Sequence, residues 1–217
     1  MRTCNFKYSC FRENLKQISL ISAVGITILF LHPEQTSWAA VISCPESTTV
    51  CYGTAEDDII YGDWGAAVRI HGLAGNDYII ANEYSPKSSY IDGDEGHDIL
   101  IGGFGNDGLY GGLGNDKYDG RYGDDTISEA VGIVGSLVSN DDFISGAEGN
   151  DWISSGEGTD TILGGPGNDQ IYPNAYTFRD FSSDSVNCGS DTGDEVWFYS
   201  GDGEVVRNCE TLNDHDR

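Results

Sequence analysis

From Gly53 to Tyr172 a large apolar side chain keeps returning at a basic spacing of nine residues, as Ile60, Ile70, Ile79, Ile91, Leu100, Leu109, Tyr118, Ile127, Ile144, Ile153, Ile162 and Ile171. Its immediate neighbours are mixed, ranging from Lys117 and Asp119 to Ile101 and Tyr110. One constant apolar centre between two variable flanks is the pattern of a three-residue strand whose middle side chain alone points inward. The pattern therefore predicts twelve very short strands with a core built from their central residues. Numbering each unit so that this residue is position eight, the phase slips by one residue within 62–71 and is interrupted at 81–83 and at 129–136.

A repeat of nine is too short for a pair of helices and suits a coil that makes one tight bend and one short strand per copy. The bends are visible between Gly93 and Ser128, which reads GDEGHDILI, GGFGNDGLY, GGLGNDKYD, GRYGDDTIS without a gap. Glycine recurs at positions one and four, and a chain that reverses every nine residues needs positive φ angles in each bend, which glycine adopts at no steric cost. Position four is Asn140 in one copy, which tolerates that region, and Glu56 or Lys87 in two others, which tolerate it poorly. The bends at Glu56 and Lys87 are accordingly predicted to be distorted.

Position six is aspartate in ten of the copies, and a strand-and-bend scaffold alone does not require that. Together these positions resemble the G-G-x-G-x-D-x-U-x nonapeptide of the RTX (hemolysin-type) calcium-binding repeat family, in a small exported form. The resemblance implies an all-β fold, a right-handed parallel β-roll in which successive copies alternate between two sides. It also implies that each calcium ion lies between one bend and the next on the same side, two copies later. Ca²⁺ takes six to eight oxygen ligands, so carboxylates and exposed bend carbonyls of two stacked bends suit it where one bend does not.

Applied to this chain, that alternation sorts the expected metal ligands into two rows. Asp58, Asp77, Asp98, Asp116, Asp142 and Asp160 fall on one side, in the odd copies. Asp107, Asp125, Asp151 and Asp169 fall on the other, where the first two copies carry Ala67 and Ser89 instead. Adjacent same-side pairs then allow up to about eight Ca²⁺ ions. The pairs between copies 1 and 3 and between copies 7 and 9 are expected to be the weakest, because of Glu56 in the first and the 129–136 insertion in the second.

Composition adds the setting. Arg2, Lys7, Arg12 and Lys16 precede an apolar run at Ile18 to Leu31, and Ser37-Trp38-Ala39 supplies a small-x-small cleavage site, so residues 1–39 read as an export signal peptide. Val41-Ile42-Ser43-Cys44 matches a lipid-modification box, but it begins ten residues beyond the apolar run, whereas such boxes sit adjacent to it. Removing the leader takes the formal net charge from −25 to −27. That excess of carboxylates disfavours nucleic acid and anionic membranes as partners and favours cations. The mature form has no membrane span, and its setting is secreted or extracellular, or periplasmic.

Cys44, Cys51, Cys188 and Cys209 remain after cleavage, which in an exported chain suggests two disulfides. Three connectivities are open. Cys44–Cys51 and Cys188–Cys209 are favoured, because each pair would staple a non-repeat segment at one end of the array. The expected organisation is thus a disulfide cap at 40–52, the roll at 53–172 and a small disulfide-stapled C-terminal β cap at 173–217. In the latter, Glu195–Tyr199 and Val205–Val206 read as strands joined by a hairpin turn at Asp202-Gly203, with Trp197, Phe198, Phe178 and Phe181 covering the end of the core. The array DSVNCGSD followed by NCETL also resembles the C-terminal segment of small exported bacterial calcium-binding proteins.

No G-x-S-x-G, HExxH or Walker pattern occurs, and His71, His97 and His215 do not group in the sequence. Repetition of the paired carboxylates marks them as ligands and not as one acid and one base. The expectation is a non-enzymatic calcium-folded structural or surface-interaction module. Two alternatives stay open: an adhesin that binds cell-surface polysaccharide or protein through its insertions and Trp64, Trp152 and Trp197, and a small exported hydrolase.

Overall fold

The computed structural model describes residues 21–23, 26–28, 40–44, 49–62, 68–81, 84, 86–129, 140–173, 182–199 and 203–214. Most of the expected leader, Ala67, Trp64, Phe178, Phe181, Asp202, His215 and the body of the 129–136 insertion lie outside them. Within the leader, β1 (Ile21–Ala23) and β2 (Ile26–Ile28) pair antiparallel.

The remaining strands form two nine-stranded parallel sheets, and strands adjacent in sequence never share a sheet. One sheet stacks β3 (Val41–Ser43), β5 (Ile59–Tyr61), β7 (Tyr78–Ile80), β9 (Ile99–Gly103), β11 (Lys117–Arg121), β13 (Phe143–Ser145), β15 (Thr161–Gly165), β17 (Ser185–Gly189) and β19 (Val205–Arg207). The other stacks β4 (Val50–Tyr52), β6 (Arg69–His71), β8 (Tyr90–Glu95), β10 (Gly108–Leu113), β12 (Thr126–Ser128), β14 (Trp152–Ser154), β16 (Gln170–Tyr172), β18 (Glu195–Phe198) and β20 (Thr211–Asp214). The chain is thus an all-strand parallel β-solenoid whose copies alternate between two sides, as the resemblance to the nonapeptide repeat implies.

Register explains why position eight tolerates so little change. Ile60 pairs with Ile79, Ile79 with Leu100, Leu100 with Tyr118, Tyr118 with Ile144 and Ile144 with Ile162. The opposite sheet repeats this from Ile70 through Ile91, Leu109, Ile127 and Ile153 to Ile171. Nearly every one of these side chains is fully buried between the sheets. Each contributes about 1.5–3 kcal/mol by leaving water, and the core is only as thick as two facing side chains.

The disulfide-bearing ends extend the same two sheets. β3 and β4 place Ile42 and Cys51 on the inner rows, and Cys44 bonds Cys51. That bond commits the Cys44 thiol. At the other end Cys188 bonds Cys209, and Phe198, Val206 and Cys209 pack against the core. Both favoured pairings therefore form.

Two local expectations change. β18 and β19 do not make a hairpin: each runs parallel to its sheet neighbours, and they lie in opposite sheets. The open edges of β16 and β17 present unpaired N–H and C=O groups, and parallel stacking satisfies a whole row of them where one hairpin turn would not. Trp197 lies on the outer face, stacked on Tyr172 with ring centroids 6.2 Å apart, whereas Phe198 packs on the core. In the bends, Glu56, Lys87 and also Asn140 avoid the left-handed region, whereas glycines at the same position such as Gly114 occupy it at φ 124°. A second left-handed residue recurs at position two, where Leu73, Asp94, Arg121 and Ala147 adopt it without being glycine.

Candidate metal centre

Each position-six aspartate closes the bend before its strand and turns its side chain into the stack. On the odd side, Oδ1 of Asp77, Asp98, Asp116, Asp142 and Asp160 accepts the backbone N–H of Asp58, Asp77, Asp98, Asp116 and Asp142 respectively, at 2.7–2.8 Å. Asp58 receives the N–H of Ala40. On the even side, Asp107 accepts from Ser89, Asp125 from Asp107, Asp151 from Asp125 and Asp169 from Asp151, at 2.6–2.9 Å. All ten expected aspartates thus lie in two continuous ladders, and all are buried. Ser89 preserves the backbone donor of its bend but supplies no carboxylate.

The second carboxylate oxygen is the informative one. Oδ2 of Asp77, Asp98, Asp116, Asp125, Asp151, Asp160 and Asp169 is shut off from solvent and accepts no hydrogen bond among the described residues. Buried carboxylate oxygens without a donor are costly unless a cation faces them. Glycine at position one explains the space beside them. A Cβ on Gly93, Gly120 or Gly146 would run into the Oδ2 of Asp98, Asp125 or Asp151 and also into the carbonyl oxygen of Gly111, Gly146 or Gly164, one coil further along the same side. A carboxylate and the next bend's carbonyl therefore converge on one small space, which is the oxygen-rich donor set a hard divalent cation takes.

Electrostatics agree with the geometry. Burial is the largest cause that pushes these carboxyls up, to about 6 for Asp107 and Asp151, about 7 for Asp77, Asp98, Asp116 and Asp169, about 8 for Asp125 and Asp160, and about 9 for Asp142. Neighbouring carboxylates push several further, as Asp151 does Asp125 and Asp98 does Asp77. The ladder N–H donors act in the opposite direction.

Two bends are built differently. Asp58 Oδ2 accepts the Thr54 N–H at 2.6 Å, and Asp107 Oδ2 accepts the Gly103 N–H at 2.7 Å, so these oxygens are engaged. Between copies 7 and 9, Asn140 donates its amide to the Gly112 carbonyl at 3.2 Å and accepts the Gly114 N–H at 3.1 Å. The same amide meets the carboxylate of Glu129, the first residue of the insertion. Tyr118, the one aromatic at position eight, directs its hydroxyl at Asp142 Oδ2, 3.5 Å away. A side-chain network thus occupies the gap that elsewhere is lined by carbonyls and an unpaired carboxylate oxygen.

Some ladder members carry little trace in the glycine pattern. Asp184 and Asp194 continue the two ladders, accepting the N–H of Asp160 and Asp169 at 2.8 and 2.9 Å. Their signal was the spacing alone: Asp184-Ser185-Val186 and Asp194-Glu195-Val196 repeat the acid-x-apolar order of positions six to eight. A further ladder runs along position five in the opposite sense. His97 donates its N–H to Asn76, Asn115 to His97 Nδ1, Asp141 to Asn115 and Thr159 to Asp141, at 2.7–3.2 Å.

The sequence profile of the RTX calcium-binding nonapeptide repeat matches residues 52–66, 68–83, 92–127 and 138–171. Among curated proteins none matches the chain.

Proposed function

Because the chain belongs to the RTX calcium-binding nonapeptide repeat family, we propose that its two aspartate ladders are the calcium ligands and that filling them is what folds the roll. The observation that carries this reading is the row of buried Oδ2 atoms without donors among the described residues, those of Asp77, Asp98, Asp125, Asp151 and Asp169 each beside a carbonyl of the next coil. Calcium bound there would neutralise paired carboxylates and cross-link successive coils. The chain's own part is to hold Oδ1 by a backbone N–H, aim Oδ2 into the gap and keep the gap open with glycine.

Ten aspartates at position six serve as ligands in this reading, with Asp184 and Asp194 extending each side by one pair. The engaged Asp58 and Asp107 and the gap filled by Asn140 and Tyr118 are the weak places, the first and last consistent with Glu56 in copy 1 and the insertion after copy 8. Up to about eight ions would lower the magnitude of the mature charge from 27 to about 11. The four mature cysteines form disulfides, and that suits an exported chain acting outside the cell as a non-enzymatic structural or surface-interaction module. None of the described residues forms a helix long and apolar enough to cross a membrane.

The test is a calcium titration of the full mature chain followed by circular dichroism and calorimetry together. The expected result is a transition from disorder to β-structure over roughly 10⁻⁴–10⁻³ M calcium, the range of extracellular calcium modules. An identical β-rich spectrum in chelator and in calcium would overturn the reading. An adhesin role is separated from a pure scaffold by pull-down against cell-surface polysaccharide in calcium and in chelator.

A further inference from the structure

Outside the two ladders, one group of side chains has a different donor chemistry. His71 ends β6, Asp92 is its register partner in β8, and Asp94 follows two residues later in the same strand. His71 Nδ1 is 3.6 Å from Asp92 Oδ2 and 3.7 Å from Asp94 Oδ2, and one ligand atom from each of the three lies within 4.8 Å of the others. Ligand atoms about 2.0–2.2 Å from a tetrahedral ion stand about 3.4 Å apart, so the two distances from His71 are near those such an ion requires.

Two further observations bear on it. Asp94 Oδ2 is out of contact with solvent and has no hydrogen-bond donor among the described residues, although the residue as a whole is partly exposed. It therefore has the same unmet demand for a cation as the ladder oxygens, but it faces an imidazole. The His71 ring is held by its neighbours: Tyr52 stacks on it with centroids 5.4 Å apart at 16°, and Tyr90 flanks it at 6.1 Å. An oriented imidazole is what a metal-ligating histidine needs, and such orientation is usually the work of surrounding residues. Asp92 is pushed up first by burial and next by Asp94.

We infer that His71, Asp92 and Asp94 form a second kind of metal site, which takes a divalent first-row transition ion such as Zn²⁺ through one nitrogen and two oxygens. Calcium prefers six to eight oxygens, whereas imidazole suits Zn²⁺, Cu²⁺, Ni²⁺ and iron. Three protein ligands at a partly exposed face leave a position open for water or for a ligand from another molecule. The site lies at the N-terminal part of the even sheet, in the stretch where Ser89 leaves the calcium ladder without a carboxylate, so it uses none of the proposed calcium ligands.

The test uses the full mature chain without an affinity tag, in saturating calcium, titrated with Co²⁺ by visible absorption and with Zn²⁺ by competition. One Co²⁺ equivalent with tetrahedral-type absorption, displaced by one Zn²⁺, is expected. His71→Ala and Asp94→Asn should each weaken it at least tenfold while leaving the calcium-dependent dichroism unchanged. That dichroism, read in the same samples, separates failure of this site from failure of the calcium fold. Zn²⁺ binding that persists in both variants, or no binding by the unaltered chain at micromolar Zn²⁺, overturns the inference. His71→Asn, which keeps a polar side chain under Tyr52, gives the same reading if His71→Ala does not fold.

Discussion

Removing calcium at pH 7.5 and then lowering the pH should unfold this protein and refold it without the metal. Each ladder carboxyl has a folded-state pKa raised above its unfolded value near 3.9, chiefly by burial, to between about 6 for Asp107 and about 9 for Asp142. A group of this kind contributes stability that is fully present below the unfolded pKa, near pH 4, and is lost as the pH rises through the folded value. For Asp116, raised to about 7, ionisation in the metal-free roll opposes folding by roughly 4 kcal/mol, at about 1.4 kcal/mol per pH unit. Even a quarter of that, repeated over the nine ladder aspartates with such raised values, is about 9 kcal/mol, comparable to the whole stability of a domain at about 5–15 kcal/mol.

The metal-free chain is therefore expected to be disordered at pH 7.5 and to gain β-structure as the pH falls from about 8 to 4. In calcium the dependence reverses. The ion requires ionised ligands, so its affinity should fall below about pH 6, and calcium binding at pH 7 should release protons into a weakly buffered solution. Far-ultraviolet dichroism across pH in chelator, with sedimentation to exclude aggregates, reads the first effect, and proton release measured by indicator reads the second. Because acid also relieves the general excess of negative charge, a chain with Asp98, Asp116, Asp125 and Asp160 changed to Asn supplies the control. Asparagine keeps the acceptor for the ladder N–H without the charge, so this variant should be partly folded in chelator at pH 7.5 and respond less to acid. A β-rich wild-type chain in chelator at neutral pH, or no gain of structure on acidification, would refute the reasoning.

Changing Asp107, Asp125, Asp151 and Asp169 together to Ala should remove the even-side ions and leave the odd-side ones, lowering the calorimetric stoichiometry by about half; an unchanged count would sink the two-sided assignment. Asn140→Ala leaves the Gly112 carbonyl and Gly114 N–H without their side-chain partners and should cost about 2–3 kcal/mol, seen as a lower thermal midpoint in saturating calcium. Ala147→Gly, at φ 72°, removes a left-handed alanine and should stabilise the calcium-loaded roll by about 1 kcal/mol, measured by denaturant midpoint. Reducing Cys188–Cys209 should loosen β17 to β20 before the rest, visible as faster amide exchange there and not around Ile127.

What was legible in the sequence follows from which positions have one acceptable chemistry. Position eight must be large and apolar because its side chain is enclosed by both sheets, so its spacing yields the short strands and their inward residues, while the alternation and the pairing of Ile60 with Ile79 or Leu109 with Ile127 followed from the family resemblance. Position six must be an acceptor with a second free oxygen, and only a short carboxylate supplies both, so the ladder is equally plain. Position five is different. Asp57, Asn76, His97, Asn115 and Asp141 can each accept a backbone N–H, so several residue types satisfy one geometric demand and the column looks variable until the coils are stacked.

The C-terminal strands were obscured by the converse problem. Asp202-Gly203 is a sound local hairpin signal, but local turn preference is worth little against a row of open backbone groups on the growing edges of two sheets. The acid-x-apolar spacing at Asp184 and Asp194 survived where the nine-residue period did not, since Val186 stands 15 residues beyond Ile171 and Val196 stands 10 beyond Val186. The same reasoning places His71, Asp92 and Asp94 beyond any linear motif. They are 21 and 23 residues apart in the chain, and they meet because two coils with a slipped phase and an insertion between them still align His71 with Asp92 across the sheet. Stacked coils bring together residues whose sequence spacing has no fixed value wherever the repeat is interrupted, so new chemistry in this fold is to be sought where worn copies stack on their neighbours.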